Sequence, residues 1–243
     1  KAGKHVFCEN PMAMTVSECQ DIIDACEANG VFLSVGYRMQ HEQNTRLIMS
    51  YARNERYGKV NRVDARAGYY SVPNDQTYWR QRAEMGGGAL YDMGVYPINA
   101  IRYASAKEPV EVRGNMMKMR PELFPDVDET TSFDMRFADG SIARGRTSVG
   151  ENMNILEATC DDGWFKLEPF QSYSGVQGTT SDGINLAAMS RNQQALQMDN
   201  DALAIKNGDP ALVPGEEGMR DIQIVNAIIE SSSRGGSWVD ISE

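Results

Sequence analysis

The fold is decided at the front of the chain, where residues 1–38 read KAGKHVFCENPMAMTVSECQDIIDACEANGVFLSVGYR. Residues 6–8 form a short apolar run, and residues 31–35 form a second, mostly apolar run. Between these runs, Thr15 and Glu18 have the spacing of a capping box that begins a helix. A strand that is covered on both faces is mostly apolar, so the pattern predicts a β-α-β unit with parallel strands.

Beyond residue 60 the hydrophobic pattern changes to a period of two, which is typical of a strand with one covered and one polar face. The alternating residues are Val63, Ala65, Ala67 and Tyr69 on one face and Arg62, Asp64 and Arg66 on the other. Asp139-Gly140 and Asp162-Gly163 each separate two later runs of this kind, which predicts antiparallel hairpins. A last helix is predicted over 216–233, and the weakly patterned stretch 170–214 predicts long connections with little regular structure.

Composition limits the class of protein. The 243 residues are 41% hydrophobic and 24% charged, as expected of a folded globular protein, and the formal net charge is -10. This charge disfavours binding to nucleic acid or to an anionic membrane surface, and no apolar run approaches the roughly 20 residues that span a bilayer. Four cysteines without C-x-x-C spacing favour reduced thiols over a disulfide or a zinc site. We expect a cytoplasmic location, with the periplasm as the alternative.

The segment with the most chemical information is 86–99, which reads GGGALYDMGVYPIN and follows Trp79-Arg80. Three glycines before a helix are expected to leave its first amide groups open to a polar ligand. In a helix over 89–104, the side chains of Asp92, Tyr96 and Asn99 would share one face, and Pro97 predicts a kink beside them. Such a row suits a polyhydroxylated substrate, although an ordinary solvated helix face has the same pattern.

Polar residues also follow the two strands of the β-α-β unit. Glu9-Asn10-Pro11 comes directly after the first strand, and Gly36-Tyr37-Arg38 follows the second. Ligands of open parallel sheets bind beyond the carboxyl ends of the strands, so both segments are candidates for a binding site. A simple turn at Asn10-Pro11 and a surface ion pair or stacking contact at Tyr37-Arg38 are the alternatives.

Taken together, these segments resemble the Gfo/Idh/MocA family, and most closely its glucose-fructose oxidoreductase branch. Residues 2–11 are similar to the family's GKHVxCEKP strand, residues 36–38 to its GYR, and residues 79–99 to its WR…GGGALxDxGxYPxN. The likeness continues into the EGMRD of residues 217–221, so it spans nearly the whole chain.

The resemblance implies an α/β plus α+β architecture. Residues 1–36 would be the carboxy-terminal remnant of a Rossmann domain. Residues 37–243 would form an α+β domain for substrate binding and oligomerisation, with a large, mainly antiparallel, open-faced sheet. A helix over 214–234 would return toward the Rossmann part. Because the open sheet of the family commonly mediates oligomerisation, a homodimer or homotetramer is expected.

The same resemblance implies hydride transfer between NADP or NAD and a small-molecule sugar or polyol, without a metal. Tyr96 would be the proton donor or acceptor, with Asp92 orienting it and Asn10 beside it. The implied cofactor-binding residues are Glu9, Asn10, Pro11, Arg38, Trp79 and Arg80. The implied substrate-binding residues are Tyr37, Asp92, Tyr96 and Asn99.

Two departures from the family pattern matter. Asn10 occupies the place of the family lysine, which leaves Arg38 as the evident cation to favour an ionised Tyr96. No G-x-G-x-x-G occurs in the sequence, so we expect residues 1–243 alone to be inactive and to bind a dinucleotide weakly. These departures keep two alternatives open. One is an NAD-dependent glycoside hydrolase of the same family, and the other is a non-catalytic sugar-binding or oligomerisation protein.

Overall fold

The computed structural model describes residues 2–73, 78–188 and 192–241. The helices in these ranges are α1 (Val16–Ala28), α2 (Gln43–Arg53), α3 (Val95–Ser105), α4 (Gln193–Asn207) and α5 (Gly215–Ser233). The strands are β1 (Val6–Cys8), β2 (Leu33–Val35), β3 (Val60–Tyr70), β4 (Pro109–Met117), β5 (Thr130–Phe137), β6 (Ile142–Ser148), β7 (Gly150–Cys160), β8 (Trp164–Leu167), β9 (Gly178–Thr180), β10 (Asn185–Leu186) and β11 (Val239–Asp240).

The predicted β-α-β unit at the front of the chain is confirmed. Strands β1 and β2 pair in parallel, with Cys8 opposite Val35, and α1 connects them. The capping box is formed at the start of α1, since the Thr15 side chain accepts from the Glu18 amide and the Glu18 side chain accepts from the Thr15 amide. Gly30 follows the helix with a φ of +60°, where a side chain would be strained. Both strands therefore end at the same edge of this small sheet.

A second, larger sheet follows in the order β10-β9-β8-β7-β3-β6-β5-β4-β11. All neighbouring strands are antiparallel except β3 and β6, which pair in parallel with Ala65 opposite Gly145. The hairpins predicted at Asp139-Gly140 and Asp162-Gly163 are confirmed as β5–β6 and β7–β8. The prediction of a large, mainly antiparallel sheet is therefore correct.

One face of the large sheet carries the core. Val63, Ala65 and Ala67 of β3 are buried there, as their alternation predicted. Helices α3 and α5 pack on this face, and α5 also contacts α1 and β2. Two features of α5 bring the two sheets together: Gly218 approaches Val35, and Ile228 packs against Gly114 of β4. The opposite face of the sheet presents charged side chains.

The helix predicted over 89–104 is divided into two parts. Residues Leu90–Gly94 form a π-helical turn, and α3 begins at Val95. Pro97 lies in α3 just after this turn and has no amide hydrogen for a helical bond to the preceding turn, which accords with the irregular hydrogen bonding there. The irregular backbone expected beside the polar row is therefore a change of helix type at Gly94.

The prediction of little regular structure over 170–214 is wrong for much of that stretch, although its residues 189–191 lie outside the described ranges. Strands β9 and β10 extend the large sheet, and α4 spans fifteen residues. The buried residues of α4 are Gln193, Gln197 and Asp201. A helix whose buried face is polar gives no hydrophobic periodicity, so the usual signal was absent.

The four cysteines are free thiols. Burial raises the pKa of the Cys19 thiol to about 11, so this thiol is protonated and inert at neutral pH. Across 2–73, 78–188 and 192–241, no group of three or more His, Cys, Asp or Glu side chains is arranged to hold a metal ion. In the same ranges, no helix combines the length and hydrophobicity that crossing a membrane requires.

Candidate active site

The carboxyl ends of β1 and β2 form one wall of a small pocket of about 90 Å³. The Gly36 amide donates to the Cys8 carbonyl (2.7 Å), and the Asn10 side-chain amide donates to the Gly36 carbonyl (2.9 Å). A Cβ on Gly36 would lie 2.6 Å from the Glu9 carboxylate and 3.3 Å from Glu9 Cα, so a larger residue here would require the Glu9 side chain to move. The segments singled out as strand ends in the sequence are thus brought together.

Arg38 enters this pocket as a buried cation. Its Nη1 atom donates to the Gln193 side chain (2.6 Å) and to the Ser172 carbonyl (3.0 Å). The guanidinium also stacks on the Tyr173 ring, 4.0 Å from the ring centroid. Because these contacts come from α4 and from the segment before β9, the position of Arg38 depends on parts of the chain that are distant in sequence.

Tyr96 reaches the same pocket from the first turn of α3. Burial raises the pKa of its hydroxyl above the usual 10, and the Asp92 carboxylate and Tyr173 act in the same direction. The Arg38 cation and a hydrogen bond with the Asn10 side chain act against this rise and favour the phenolate. Since burial dominates, Tyr96 keeps its proton at neutral pH and is poised to donate it.

Asp92 lies one turn before Tyr96, in a second cavity of about 580 Å³. Its Oδ2 atom accepts from the Tyr69 hydroxyl (2.8 Å) and from Arg80 Nε (3.0 Å). Arg80 is in turn held by stacking on Trp79, 4.3 Å from the ring centroid, and by a hydrogen bond from Nη1 to the Tyr78 hydroxyl. Two donors therefore fix the orientation of the Asp92 carboxylate.

The prediction that the glycine loop leaves free amides for a ligand is wrong. The Gly88 amide donates to the Arg80 carbonyl (3.0 Å), and the Leu90 amide donates to the buried carboxylate of Asp128 (3.0 Å). A Cβ on Gly87 would lie 2.6 Å from the Arg80 carbonyl oxygen. The glycines thus allow the turn carrying Trp79 to pack on the start of the helix, and the protein itself satisfies these amides.

The remaining predicted site residues lie in different surroundings. Trp79 and Arg80, implied as cofactor contacts, are in a short 3-10 helix at the Asp92 cavity. Tyr37 is 2% exposed, and Asn99 is 2% exposed. Tyr37 hydrogen-bonds to Asp221, and Asn99 hydrogen-bonds to Gln40, Glu217 and Asp221. Neither lines the pocket that contains Tyr96.

Two residues of the site were not predicted from the sequence. Tyr69, at the end of β3, was assigned only to the covered face of a strand, but its hydroxyl bonds to Asp92. Burial and the Asp92 charge raise its pKa well above the usual value, so it remains a donor. Tyr173 lies in the weakly patterned stretch, where no periodicity marks it. Only the structure reveals that it stacks on Arg38.

The pocket at the strand ends fits the amide end of a nicotinamide. Asn10 Oδ1 is buried and has no hydrogen-bond partner in the described part of the chain. An unpaired buried oxygen is costly, and the N–H group of a carboxamide would satisfy it. Glu9 and Arg38 line the pocket together with Tyr96, and Asn10 lies next to Tyr96 behind this lining.

Comparison with known families gives two matches. Residues 1–37 match the family described as "Oxidoreductase family, NAD-binding Rossmann fold". Residues 46–166 match the family described as "GFO/IDH/MocA C-terminal domain".

Individual proteins extend this similarity to almost the whole chain. A solved aldose-aldose oxidoreductase from Caulobacter crescentus is 30% identical, with a TM-score of 0.91 over 98% of this chain and 72% of that one. The D-xylose 1-dehydrogenase [NADP(+)] of Haloarcula marismortui is 23% identical over 94% of this chain and 66% of its own length. A levoglucosan dehydrogenase solved with NADH and levoglucosan has the same fold, with a TM-score of 0.84 and 20% identity over 99% of this chain and 74% of that one.

Proposed function

Because the chain belongs to the Gfo/Idh/MocA family of NAD-binding oxidoreductases, we propose that this protein transfers a hydride between NAD or NADP and a sugar or polyol. The observation that carries the proposal is the position of the Tyr96 hydroxyl. It lies in the pocket at the ends of β1 and β2, next to Arg38 and Asn10. A titratable hydroxyl at this edge of a parallel sheet is suited to acid-base chemistry on a bound substrate.

The roles of the side chains follow from their contacts. A bound nicotinamide supplies the hydride donor or acceptor. Tyr96 gives its proton to the carbonyl oxygen of a sugar during reduction, or takes the hydroxyl proton during oxidation. Asp92, held by Tyr69 and Arg80, accepts a hydrogen bond from a substrate hydroxyl in the larger cavity. Arg38 and the Asn10 amide lower the free energy of the phenolate that oxidation requires.

Asn10 can supply part of the stabilisation of the Tyr96 phenolate that the family lysine would supply. Its amide can donate one hydrogen to the Gly36 carbonyl and one to the Tyr96 hydroxyl, which favours the phenolate without adding a charge. A lysine would add a full cation, so the Asn10 protein is expected to oxidise sugars best at alkaline pH. Asn10→Lys should move the rising limb of the pH profile of kcat downward.

The test of the function is oxidation or reduction of a panel of aldoses and polyols by the full-length protein, followed by NAD(P)H absorbance. Tyr96→Phe should lower kcat by roughly 100-fold or more, because an acid-base group is lost while the ring remains. Tyr103→Phe in the same helix is the matched control, since its buried hydroxyl has no hydrogen-bond partner within the described residues. Equal activity of Tyr96→Phe and the control would refute the assigned role.

The relatives favour this reading over the alternatives. The three proteins compared above are named as an oxidoreductase and two dehydrogenases. Net oxidation or reduction of the sugar with a stoichiometric change in nicotinamide is therefore expected. Cleavage of a glycoside without net redox change would instead indicate the hydrolase.

The open face of the large sheet is the proposed oligomer interface, giving a homodimer or homotetramer. Ion pairs such as Arg66 with Asp64 (2.7 Å) and Arg113 with Asp134 (2.7 Å) cover this face, beside a cavity of about 400 Å³. Such a surface suits cross-strand ion pairs within the sheet and ion pairs with a second copy. Light scattering should give a dimer or larger at micromolar concentration, and Arg66→Glu with Arg113→Glu should dissociate it. A monomeric wild-type protein would contradict the proposal.

A further inference from the structure

The EGMRD segment at residues 217–221 is part of the family resemblance, but none of its residues lines the Tyr96 pocket. Its carboxylates, Glu217 and Asp221, lie one turn apart near the start of α5. Asp221 is fully buried. A buried carboxylate is costly unless donors surround it, so the partners of these two groups reveal what they hold together.

The first partners lie on α3. Arg102 donates to Asp221 Oδ1 (2.7 Å) and to Glu217 Oε2 (2.9 Å). Asn99 donates to Asp221 Oδ2 (3.0 Å) and to Glu217 Oε1 (3.1 Å). Asn99 lies three residues after Tyr96, almost one helical turn away. The carboxylates therefore fix the helix that carries Tyr96 at a point close to that residue.

The second set of partners lies on the segment that carries Arg38. Gln40 donates to Glu217 Oε1 (3.0 Å) and to Asn99 Oδ1 (2.9 Å). The Tyr37 side chain hydrogen-bonds to Asp221. Tyr37 and Gln40 flank Arg38 in sequence and are both buried. The same two carboxylates thus hold the backbone on either side of the Arg38 guanidinium.

We propose that Glu217 and Asp221 are positioning residues, which set the Tyr96 hydroxyl relative to the Arg38 guanidinium by holding α3 and residues 37–40 in one buried network. The inference rests on the proposed acid-base role of Tyr96. The network consists of Tyr37, Gln40, Asn99, Arg102, Glu217 and Asp221. Asn99 and Asp221 line neither the Asp92 cavity nor the Tyr96 pocket.

The connectivity separates positioning from simple stabilisation. A bridge that only stabilised the packing of α5 on α3 would need Arg102 and one carboxylate. Here Asn99 is bonded to both carboxylates and to Gln40, so a shift of α3 is transmitted to residue 40. A displacement of about 1 Å between reacting groups can lower a rate by 100-fold, so such coupling is sufficient to affect turnover.

The test substitutes Asn99, which changes no charge. Asn99→Ala should lower kcat roughly 10-fold to 100-fold, with KM changed less than about threefold, because acid-base alignment is lost while the substrate contacts remain. The matched control is Ser231→Ala near the end of α5. Its buried hydroxyl accepts from the Gly114 amide (2.9 Å) and donates to the Ser237 carbonyl (2.6 Å), far along the helix from the network. Gln40→Met provides a second variant that keeps side-chain volume if Asn99→Ala does not fold.

A second readout follows Tyr96 itself. Fluorotyrosine is incorporated into the protein, the Tyr96 resonance is assigned with Tyr96→Phe, and its ¹⁹F shift is titrated. The charged and titratable groups that act on this hydroxyl are Arg38, Asp92, Tyr173 and Tyr37. Displacement of Arg38 removes the cation that favours the phenolate, so the pKa of Tyr96 should rise in Asn99→Ala and in Gln40→Met. It should be unchanged in Ser231→Ala.

The two readouts distinguish the possible failures. A raised Tyr96 pKa together with a selective loss of kcat supports the inference. An unchanged Tyr96 pKa in folded Asn99→Ala and Gln40→Met overturns it, whatever the activity. If the wild-type protein turns over no sugar but the pKa of Tyr96 still moves in these variants, the proposed function fails and the positioning network stands.

Discussion

Helices α4 and α5 both pack against the parallel pair β1–β2, but they use opposite kinds of side chain. Helix α5 places Gly215 against Leu33 and Gly218 against Val35, and Ile222 is buried farther along the same helix. Helix α4 presents Gln197, which donates to the Val35 carbonyl (3.0 Å), and Asp201, which accepts from the Ser34 hydroxyl (2.8 Å). The first contact is apolar and close-packed, and the second consists of hydrogen bonds.

The difference separates two tasks. Burial of apolar side chains contributes most of the free energy of folding, whereas a hydrogen bond exchanges one polar partner for another and contributes little net. A hydrogen bond does, however, fix direction. In α4, the Gln193 side chain accepts a hydrogen bond from Arg38 and so holds Arg38 at the edge of the pocket. We therefore expect the apolar face of α5 to contribute most to stability and α4 to fix the direction of Arg38, in addition to the positioning role proposed for the polar end of α5.

The largest expected effect tests the stabilising role of α5. Ile228 is fully buried and packs against Gly114 of β4. Ile228→Ala should lower the free energy of unfolding by roughly 2–5 kcal/mol, the range for a large-to-small core substitution. Leu203→Ala on the exposed face of α4 should cost less than about 0.5 kcal/mol. Urea denaturation monitored by circular dichroism measures both, and equal losses would remove the distinction between the helices.

Hydrogen exchange tests whether α4 opens separately. Amides of α4 should exchange roughly 100-fold faster than those in the middle of α5, because few apolar contacts resist local opening of α4. Mass spectrometry of peptides from the two helices provides the comparison. Equal protection would mean that α4 unfolds only with the whole protein.

Much of the fold could be predicted from the sequence because apolar spacing carried the information. The helix predicted over 216–233 corresponds to α5, and the alternation in β3 identified its covered face correctly. Helix α4 could not be found in this way, because its buried positions are Gln193, Gln197 and Asp201. Their partners, such as Ser34, are more than 150 residues away in the chain. A polar contact between distant segments produces no periodic pattern in the sequence.

The site was predictable to a similar extent. The ends of β1 and β2 were expected to meet, and the structure brings Asn10 and Gly36 together. The glycine loop was misread because its amides are satisfied by Asp128 and Arg80, which no local spacing indicates. Tyr69 also gave no signal, since a tyrosine at the end of a strand is usually only a core residue. The assignment of catalytic roles remains a prediction.

A smaller effect is expected from breaking the contact between α4 and the pocket. Gln193→Ala removes the hydrogen bond to Arg38, which keeps the Ser172 carbonyl, the Met39 sulfur and the Tyr173 ring as partners. We expect kcat to fall about tenfold, with the free energy of unfolding changed by about 1 kcal/mol. Lys206→Ala, near the end of the same helix, is the exposed control. Loss of stability without loss of kcat would show that α4 is only structural.

The last prediction concerns how the polar end of α5 responds to pH. Burial raises the pKa of Asp221 from 3.8 to about 7, and the Arg102 cation only partly opposes this rise. Between about pH 4 and pH 7, the folded protein therefore binds more protons at this position than the unfolded chain. Its contribution to stability is complete below about pH 4 and is lost as the pH rises through 7.

Asp221→Asn removes this titration while keeping the shape of the side chain. The difference in unfolding free energy between the variant and the wild type should move in favour of the variant as the pH rises from 4 to 7, by at most about 1.4 kcal/mol per pH unit. Ile228→Ala involves no proton, so its cost should be independent of pH. A flat difference for Asp221→Asn would mean that Arg102, Asn99 and Tyr37 together outweigh burial and keep Asp221 ionised. The polar end of α5 would then contribute to stability independently of pH, as its apolar face does.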